Sequence, residues 1–216
     1  QPGDVFFGAD LAGVYIIESE KAGLFTWLRN SGVEIYFAVY DLLPILYPHV
    51  FPPQANQNHL AWLQTVSLIA EGAVCISQSV ANELATWIKV NRSAHSHPFK
   101  IGWFHLGADI ESSAPTSGLP HDADLILSAL SRQSSFLMVG TIEPRKGYNQ
   151  TLSAFEQLWV QATNINLVIV GKQGWMVETL IERLSHHPEL GKRLIWLEGI
   201  SDEYLDKVYA ACTCLI

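Results

Sequence analysis

The 216-residue sequence predicts an α/β protein built on doubly wound parallel sheets. Two observations carry this expectation. Short apolar runs of strand length alternate with helix-length segments whose apolar residues recur every three or four positions. From Ser135 onward, each strand is also separated from the next by a single such helix, a spacing that implies parallel pairing through crossovers.

Taken in order, Val33 to Tyr40 reads as a strand ending at Asp41, and Leu60, Leu63, Val66 and Ile69 mark one face of a helix. Ala73 to Ile76 is a second strand, followed by a helix through Ile88 that either Ser77 or Ser79 caps. Ile101 to Leu106 reads as a third strand. Between Ser112 and Ser134, Pro115, Gly118, Pro120 and several serines suit an interdomain connection, with one short helical pattern at Leu125 to Leu130. The regular part then begins with strand Phe136 to Val139 and helix Thr151 to Gln161, whose Leu152, Phe155, Leu158 and Trp159 share a face. Strand Leu167 to Val170 leads to a helix carrying Val177, Leu180, Ile181 and Leu184. Strand Leu194 to Leu197 leads to a helix opened by Ser201, Asp202 and Glu203, a hydroxyl cap with acidic residues in the first turn. Cys212 to Ile216 begins a fourth strand. The expected organisation is one domain over 1–111, a connection over 112–134 and a second domain over 135–216.

Composition narrows the function classes. Apolar residues make up 49% and charged residues 16% of the chain, against a usual charged share of about 25%, so a disordered chain is excluded. The net charge is −8 and no basic block exceeds the pair Arg145 and Lys146, which argues against a nucleic-acid surface. No apolar run is long enough to suggest a membrane span. Cys75, Cys212 and Cys214 lie in apolar runs without paired CxxC spacing and read as reduced core thiols of a cytoplasmic protein. His95, His97, His186 and His187 sit in polar surroundings and read as surface residues, and no metal site is expected. Both ends read as cut, because the chain starts at Gln1 without Met or a leader and stops inside a strand.

Ligands of doubly wound sheets bind at the carboxyl ends of the strands. That directs attention to the loops Gly140 to Tyr148, Gly171 to Trp175 and Glu198 to Ser201. The first, Gly140-Thr-Ile-Glu-Pro-Arg-Lys-Gly147, follows a strand and opens a helix, where backbone N–H groups and the helix dipole favour an anion. Arg145 and Lys146 add two cations, Gly140 allows close backbone approach and Gly147 relieves the turn. The pair is either a diphosphate site or a solvated basic pair placed against the dipole. Neither a Walker loop nor the GxGxxG fingerprint is present, which disfavours ordinary kinases, nucleotide hydrolases and nicotinamide dehydrogenases.

The strings FLMVGTIEPRKGYNQTLSAFEQLW, NLVIVGKQGW and LIWLEGISDEYLDKVYAACTCLI resemble the carboxyl-terminal domain of family 4 glycosyltransferases of the GT-B fold. Upstream, VYDLLPILYPHVFP, AVCISQSVANELATW and IGWFHLGADI resemble the last part of that family's acceptor domain. The resemblance implies two Rossmann-like domains, both incomplete in this chain, with the sugar nucleotide held mainly by the second. It implies that Arg145 and Lys146 hold the donor diphosphate with the loop residues Gly140, Thr141 and Gly147. Gly171 and Lys172 would border the cleft, and Gly199 and Ile200 would meet the base through backbone groups. For Lys172 an exposed loop lysine is the alternative. Asp41 stands where the family places a catalytic or acceptor-positioning carboxylate. Its alternative is to cap the turn ahead of Pro44. Many family members carry His-Asp there, where this chain has Tyr40-Asp41. The paired glutamates of the family, with seven residues between them in a segment containing Gly-Phe-Gly, are absent from these 216 residues.

The resulting expectation is a retaining hexosyltransferase, with mannose from GDP-mannose first and a UDP-glucose enzyme as the nearest rival. A non-catalytic nucleotide-sugar-binding module is the alternative from another class. The expected acceptor is a glycan or lipid-linked glycan, no metal or other cofactor is expected, and residues 1–216 alone should be inactive. Cytoplasmic location with peripheral association at the inner membrane face would follow from such an acceptor.

Overall fold

A computed structural model describes residues 1–91, 98–108 and 113–216. The chain forms two compact units, Gln1–Ala108 and Asp109–Ile216. Each holds a four-stranded, wholly parallel sheet.

In the first unit the strands β1 (Val5–Gly8), β2 (Glu34–Val39), β3 (Gly72–Cys75) and β4 (Lys100–Trp103) lie side by side in chain order. Helices α1 (Gly13–Lys21) and α2 (Leu24–Asn30) precede β2. Helices α3 (Leu43–Leu46), α4 (Pro53–Ile69) and α5 (Gln78–Asn91) follow it. Ile35, Phe37 and Val39 alternate along β2 into a core closed by Phe25, Trp62, Leu63, Val66 and Leu84. Phe6, Phe25 and Phe37 meet edge to face, with ring centroids 5.5 to 5.9 Å apart. Ser77 caps α5, its hydroxyl accepting the Val80 N–H at 3.3 Å. Residues before Val33 gave no sequence signal, yet they supply β1, α1 and α2. Strand β4 ends at Trp103, short of Leu106, because its neighbour β3 ends at the paired residue Cys75.

The second unit carries β5 (Ser134–Val139), β6 (Ile165–Val170), β7 (Leu194–Leu197) and β8 (Cys214–Leu215) in the spatial order β7-β6-β5-β8. Alternation decides its two cores. Met138, Leu167, Ile169 and Leu194 face α7 (Tyr148–Val160) and α8 (Glu178–Ser185), while Leu137, Val168 and Val170 face α6 (Ala123–Arg132) and α9 (Asp202–Ala211). Helices thus cover both faces, the doubly wound arrangement. Most of the stretch expected as a connection belongs to this unit, since α6 seats Ala123 and Leu130 in the core and Thr116 bonds to α9. Helix α7 starts at Tyr148, three residues before its apolar pattern, because Gly147 with φ +73° turns the chain into it.

Several surface and core assignments change. His187 is not a surface residue: its side chain is 8% exposed, its Nε2 lies 3.1 Å from Glu156 and its Nδ1 accepts the Glu189 N–H. Cys214 is exposed rather than a core thiol, whereas Cys75 and Cys212 are more enclosed and burial pushes both thiols up to about 11. The three cysteines are free. His95 and His97 lie outside the described residues. Among the described residues no helix is long and apolar enough to cross a membrane.

Candidate active-site loops of the second unit

Order β7-β6-β5-β8 reverses direction at β5: the chain winds outward through β6 and β7, then returns to β5's other side. A crevice opens beside the carboxyl end of the strand where the order reverses. The loop after β5 is therefore the one the topology places at a ligand crevice.

That loop is built tightly. Gly140, at φ +129°, donates its N–H to Val170 O at 2.9 Å, and its carbonyl accepts the Tyr148 hydroxyl at 2.7 Å. Burial, then the nearby Glu143 carboxylate, raises the Tyr148 pKa and keeps it a donor. Ile142 N–H reaches Lys172 O at 2.9 Å and Gly174 N–H reaches Ile142 O at 3.0 Å, so the loops after β5 and β6 are laced together. A methyl group at Gly171 would strike the Gly140 carbonyl, and one at Gly174 would lie 2.6 Å from Ile142 O. Both positions require glycine because backbone passes where a Cβ would stand.

Lys146 and Arg145 behave differently. The Lys146 ammonium lies 2.8 Å from where a Gly140 Cβ would stand, half-buried above the end of β5. It has neither a carboxylate partner nor a hydrogen-bond acceptor among the described residues. Arg145 turns back on its own loop, with Nε 2.8 Å from Glu143 Oε2. Glu143 is 6% exposed at its side chain, and that oxygen receives no aligned hydrogen bond. Two equivalent cations were expected here. The structure shows one paired cation and one free, since a buried carboxylate two residues upstream is a stronger nearby attractor for the guanidinium than solvent.

The other predicted residues of this unit gather at the same sheet end. Lys172 is exposed, its Cε 3.6 Å from the ideal Cβ position of Gly199, which has φ +62°. Ile200, half-buried, packs its side chain against the core. Thr141 is exposed on the loop rim. Asp41 belongs to the first unit, at the carboxyl end of β2, where its Oδ1 accepts the Leu43 N–H at 2.9 Å and its carbonyl oxygen lies 3.0 Å from His59 Nε2. The turn-capping alternative is thus realised in the structure. His59, which sequence reading passed over, is 8% exposed, and burial lowers its pKa. Its place in an apolar helix face, between Asn58 and Leu60, gave no signal beyond that of a core residue.

A hollow of about 790 Å³ lies elsewhere, at the amino-terminal ends of β6 and β7, and is lined by Glu156, Trp159, Arg183, His187 and Arg193 among others. Its charges are mutually satisfied. Arg183 and His187 hold Glu156, which keeps the carboxyl below its usual range despite partial burial, and Arg193 pairs with Glu189 at 2.8 Å. This network ties α7 to α8 and to the turn before β7. Among the described residues no three His, Cys, Asp or Glu side chains converge as metal ligands.

Residues 128–216 match the family described as glycosyl transferases group 1. The chain is 44% identical over 191 residues to a serotype-specific mannosyltransferase WbdA of Escherichia coli, and 43% identical over 195 residues to another. The match covers 88% of this chain and 23% of the relative, so the chain spans about a quarter of the length of these curated relatives. Among solved structures it is similar to Anabaena Alr3699/HepE in complex with UDP, with a TM-score of 0.61 at 15% identity over 98% of this chain and 52% of that one. The same protein in complex with UDP and glucose matches equally, over 51% of its chain. Residues 128–216 thus match the model of the glycosyl transferases group 1, most of the chain is similar to a part of the serotype-specific mannosyltransferases, and the solved neighbours share its fold.

Proposed function

We propose that the protein bearing this chain is a retaining glycosyltransferase that moves a hexose from a nucleoside diphosphate sugar to a glycan or lipid-linked acceptor. The observation that carries this reading is the unpaired Lys146 ammonium held over Gly140 at the topological switch of the second sheet. A cation so placed, beside the first turn of α7, is suited to a diphosphate. Mannose from GDP-mannose is the donor of choice, supported by 44% identity to proteins named as mannosyltransferases. UDP-glucose is the second reading, favoured by the solved neighbour's complex with UDP and glucose.

Cleavage of the bond between the anomeric carbon and the phosphate oxygen leaves positive charge on the sugar and negative charge on the departing diphosphate. Lys146, with Lys172 on the adjoining loop after β6, stabilises the second charge as it grows. Arg145 contributes through the guanidinium nitrogens that Glu143 does not engage. Gly140, Thr141, Gly147 and Gly171 supply close-approaching backbone, and Gly199 and Ile200 offer backbone groups to the base. Asp41 is assigned to the acceptor side. Cations supply the counter-charge, so no metal is required by this scheme. No two glutamates among the 216 residues have seven residues between them, so the chain alone binds donor nucleotide without transferring sugar. The acceptor places the reaction in the cytoplasm, at the inner face of a membrane.

The test is transfer by the full protein from radiolabelled GDP-mannose and UDP-glucose to a panel of lipid-linked glycans. Mannose transfer with retained anomeric configuration is expected. Transfer from UDP-glucose alone would replace the donor assignment, and nucleotide binding without any transfer would favour a binding module.

A further inference from the structure

Just ahead of α6, the segment around Thr116 to Gly118 is fastened to the start of α9 by six hydrogen bonds. Thr116 donates both its N–H and its hydroxyl to Asp202 Oδ2, at 2.8 and 2.7 Å, and the same hydroxyl accepts the Asp202 N–H at 2.9 Å. Glu203 N–H donates to Thr116 O at 3.1 Å, Gly118 N–H donates to Glu203 Oε2 at 2.9 Å, and the Ser201 hydroxyl donates to Gly118 O at 2.5 Å. Ser201 also caps α9 by accepting the Tyr204 N–H at 3.1 Å. An acidic residue in the first turn needs no such partner to stabilise a helix, since the dipole suffices. Here two acidic side chains and the cap hydroxyl are all turned outward to hold a separate stretch of chain.

What this clasp fixes is the short link between β7 and α9. Only residues 198–201 separate them, Gly199 is left-handed at φ +62°, and Ile200 packs against the core. One end is held by the sheet, where Gly171 N–H meets Leu197 O at 3.0 Å. The other is held by the clasp. We propose that Thr116 and Asp202 are positioning residues for nucleotide-base recognition: they lock the Gly199–Ile200 backbone in the orientation that meets the base, without touching the ligand. This rests on the nucleotide-sugar reading above, and it assigns a binding role to a segment whose composition marks it only as a connection.

The experiment is calorimetry on the 216-residue chain with GDP, UDP and inorganic pyrophosphate, comparing wild type with Thr116→Val, Asp202→Asn and Thr116→Ser, each checked by circular dichroism. Thr116→Val and Asp202→Asn should weaken whichever nucleotide wild type prefers about five- to tenfold, the equilibrium equivalent of one ordinary hydrogen-bonded constraint. Pyrophosphate affinity should change by less than about twofold, as expected for an independent site. Thr116→Ser, which keeps the hydroxyl, should bind like wild type. If wild type binds and both disruptive variants bind the nucleotide equally well, the clasp has no such role. Equal losses for nucleotide and pyrophosphate would make it a general stability element and overturn the inference. Absence of nucleotide binding by wild type would instead remove the underlying functional reading, and this inference with it.

Discussion

Replacing Lys146 with alanine separates binding from folding in a way that replacing Arg145 does not. The Lys146 ammonium has no carboxylate partner among the described residues, so its loss strands no buried charge. Folding stability should move by less than about 0.5 kcal/mol, as for a surface substitution. A charge-assisted hydrogen bond to phosphate contributes roughly 1.5–3 kcal/mol, and 1.4 kcal/mol is tenfold, so diphosphate affinity should fall about 10- to 150-fold. Nucleoside affinity should barely change. Arg145→Ala instead leaves Glu143, 6% exposed at its side chain, without its ion partner. The expected cost is about 1–3 kcal/mol of stability, and adding Glu143→Gln should recover most of it. Calorimetry with GDP, UDP, guanosine and uridine, paired with thermal melts, reads both quantities. Equal losses for diphosphate and nucleoside in Lys146→Ala would refute the phosphate assignment. A melting loss in Lys146→Ala as large as in Arg145→Ala would refute the division of roles between the two cations.

Leu130→Ala, at a fully buried position of α6, should destabilise the chain by about 2–5 kcal/mol, measured by urea unfolding; a near-zero effect would show that α6 is not part of the second core. Sugar transfer by the full protein should persist in excess EDTA, and loss restored by magnesium or manganese would overturn the cation-only scheme. Asp202 titrates below its usual range because the Thr116 N–H and then its hydroxyl donate to the carboxylate. That stabilisation is present above the unfolded pKa of about 3.9 and is lost as pH falls through the lower folded value. Melts from pH 6 to pH 2.5 should therefore decline more in wild type than in Asp202→Asn, and parallel declines would exclude the clasp as an acid-labile element.

The second sheet was legible because its inner strands β5 and β6 are largely buried and apolar and the helices between strands repeat their apolar residues every three or four positions, so the periodicities are unmixed. The first 32 residues hid their structure for the opposite reason. Strand β1 alternates exposed and half-buried positions over only four residues, and α1 has no fully buried side chain to mark a face. Its approach to α4 depends instead on Gly13, where a Cβ would lie 3.2 Å from that of Trp62. At the site, the glycine positions could be read from loop chemistry, because close backbone approach selects that residue type. The Glu143–Arg145 pair could not, since neighbouring opposite charges say nothing about which one is buried. His187 misled in the same manner: His186, Pro188 and Glu189 suggest surface, while packing of its ring against Trp159, with centroids 5.5 Å apart, draws it inward.

The contact between Gly140 and Gly171 limits how this site evolves. With carbonyl against Cα and no side chain between them, the two loops share one wall, and neither glycine has a neighbouring residue type through which substitutions could pass gradually. On the donor reading proposed above, variation in donor preference accumulates on the rim, at exposed positions such as Thr141, Lys172 and Gln173. Lineages that change their sugar while keeping this fold should differ at those rim positions and retain both glycines.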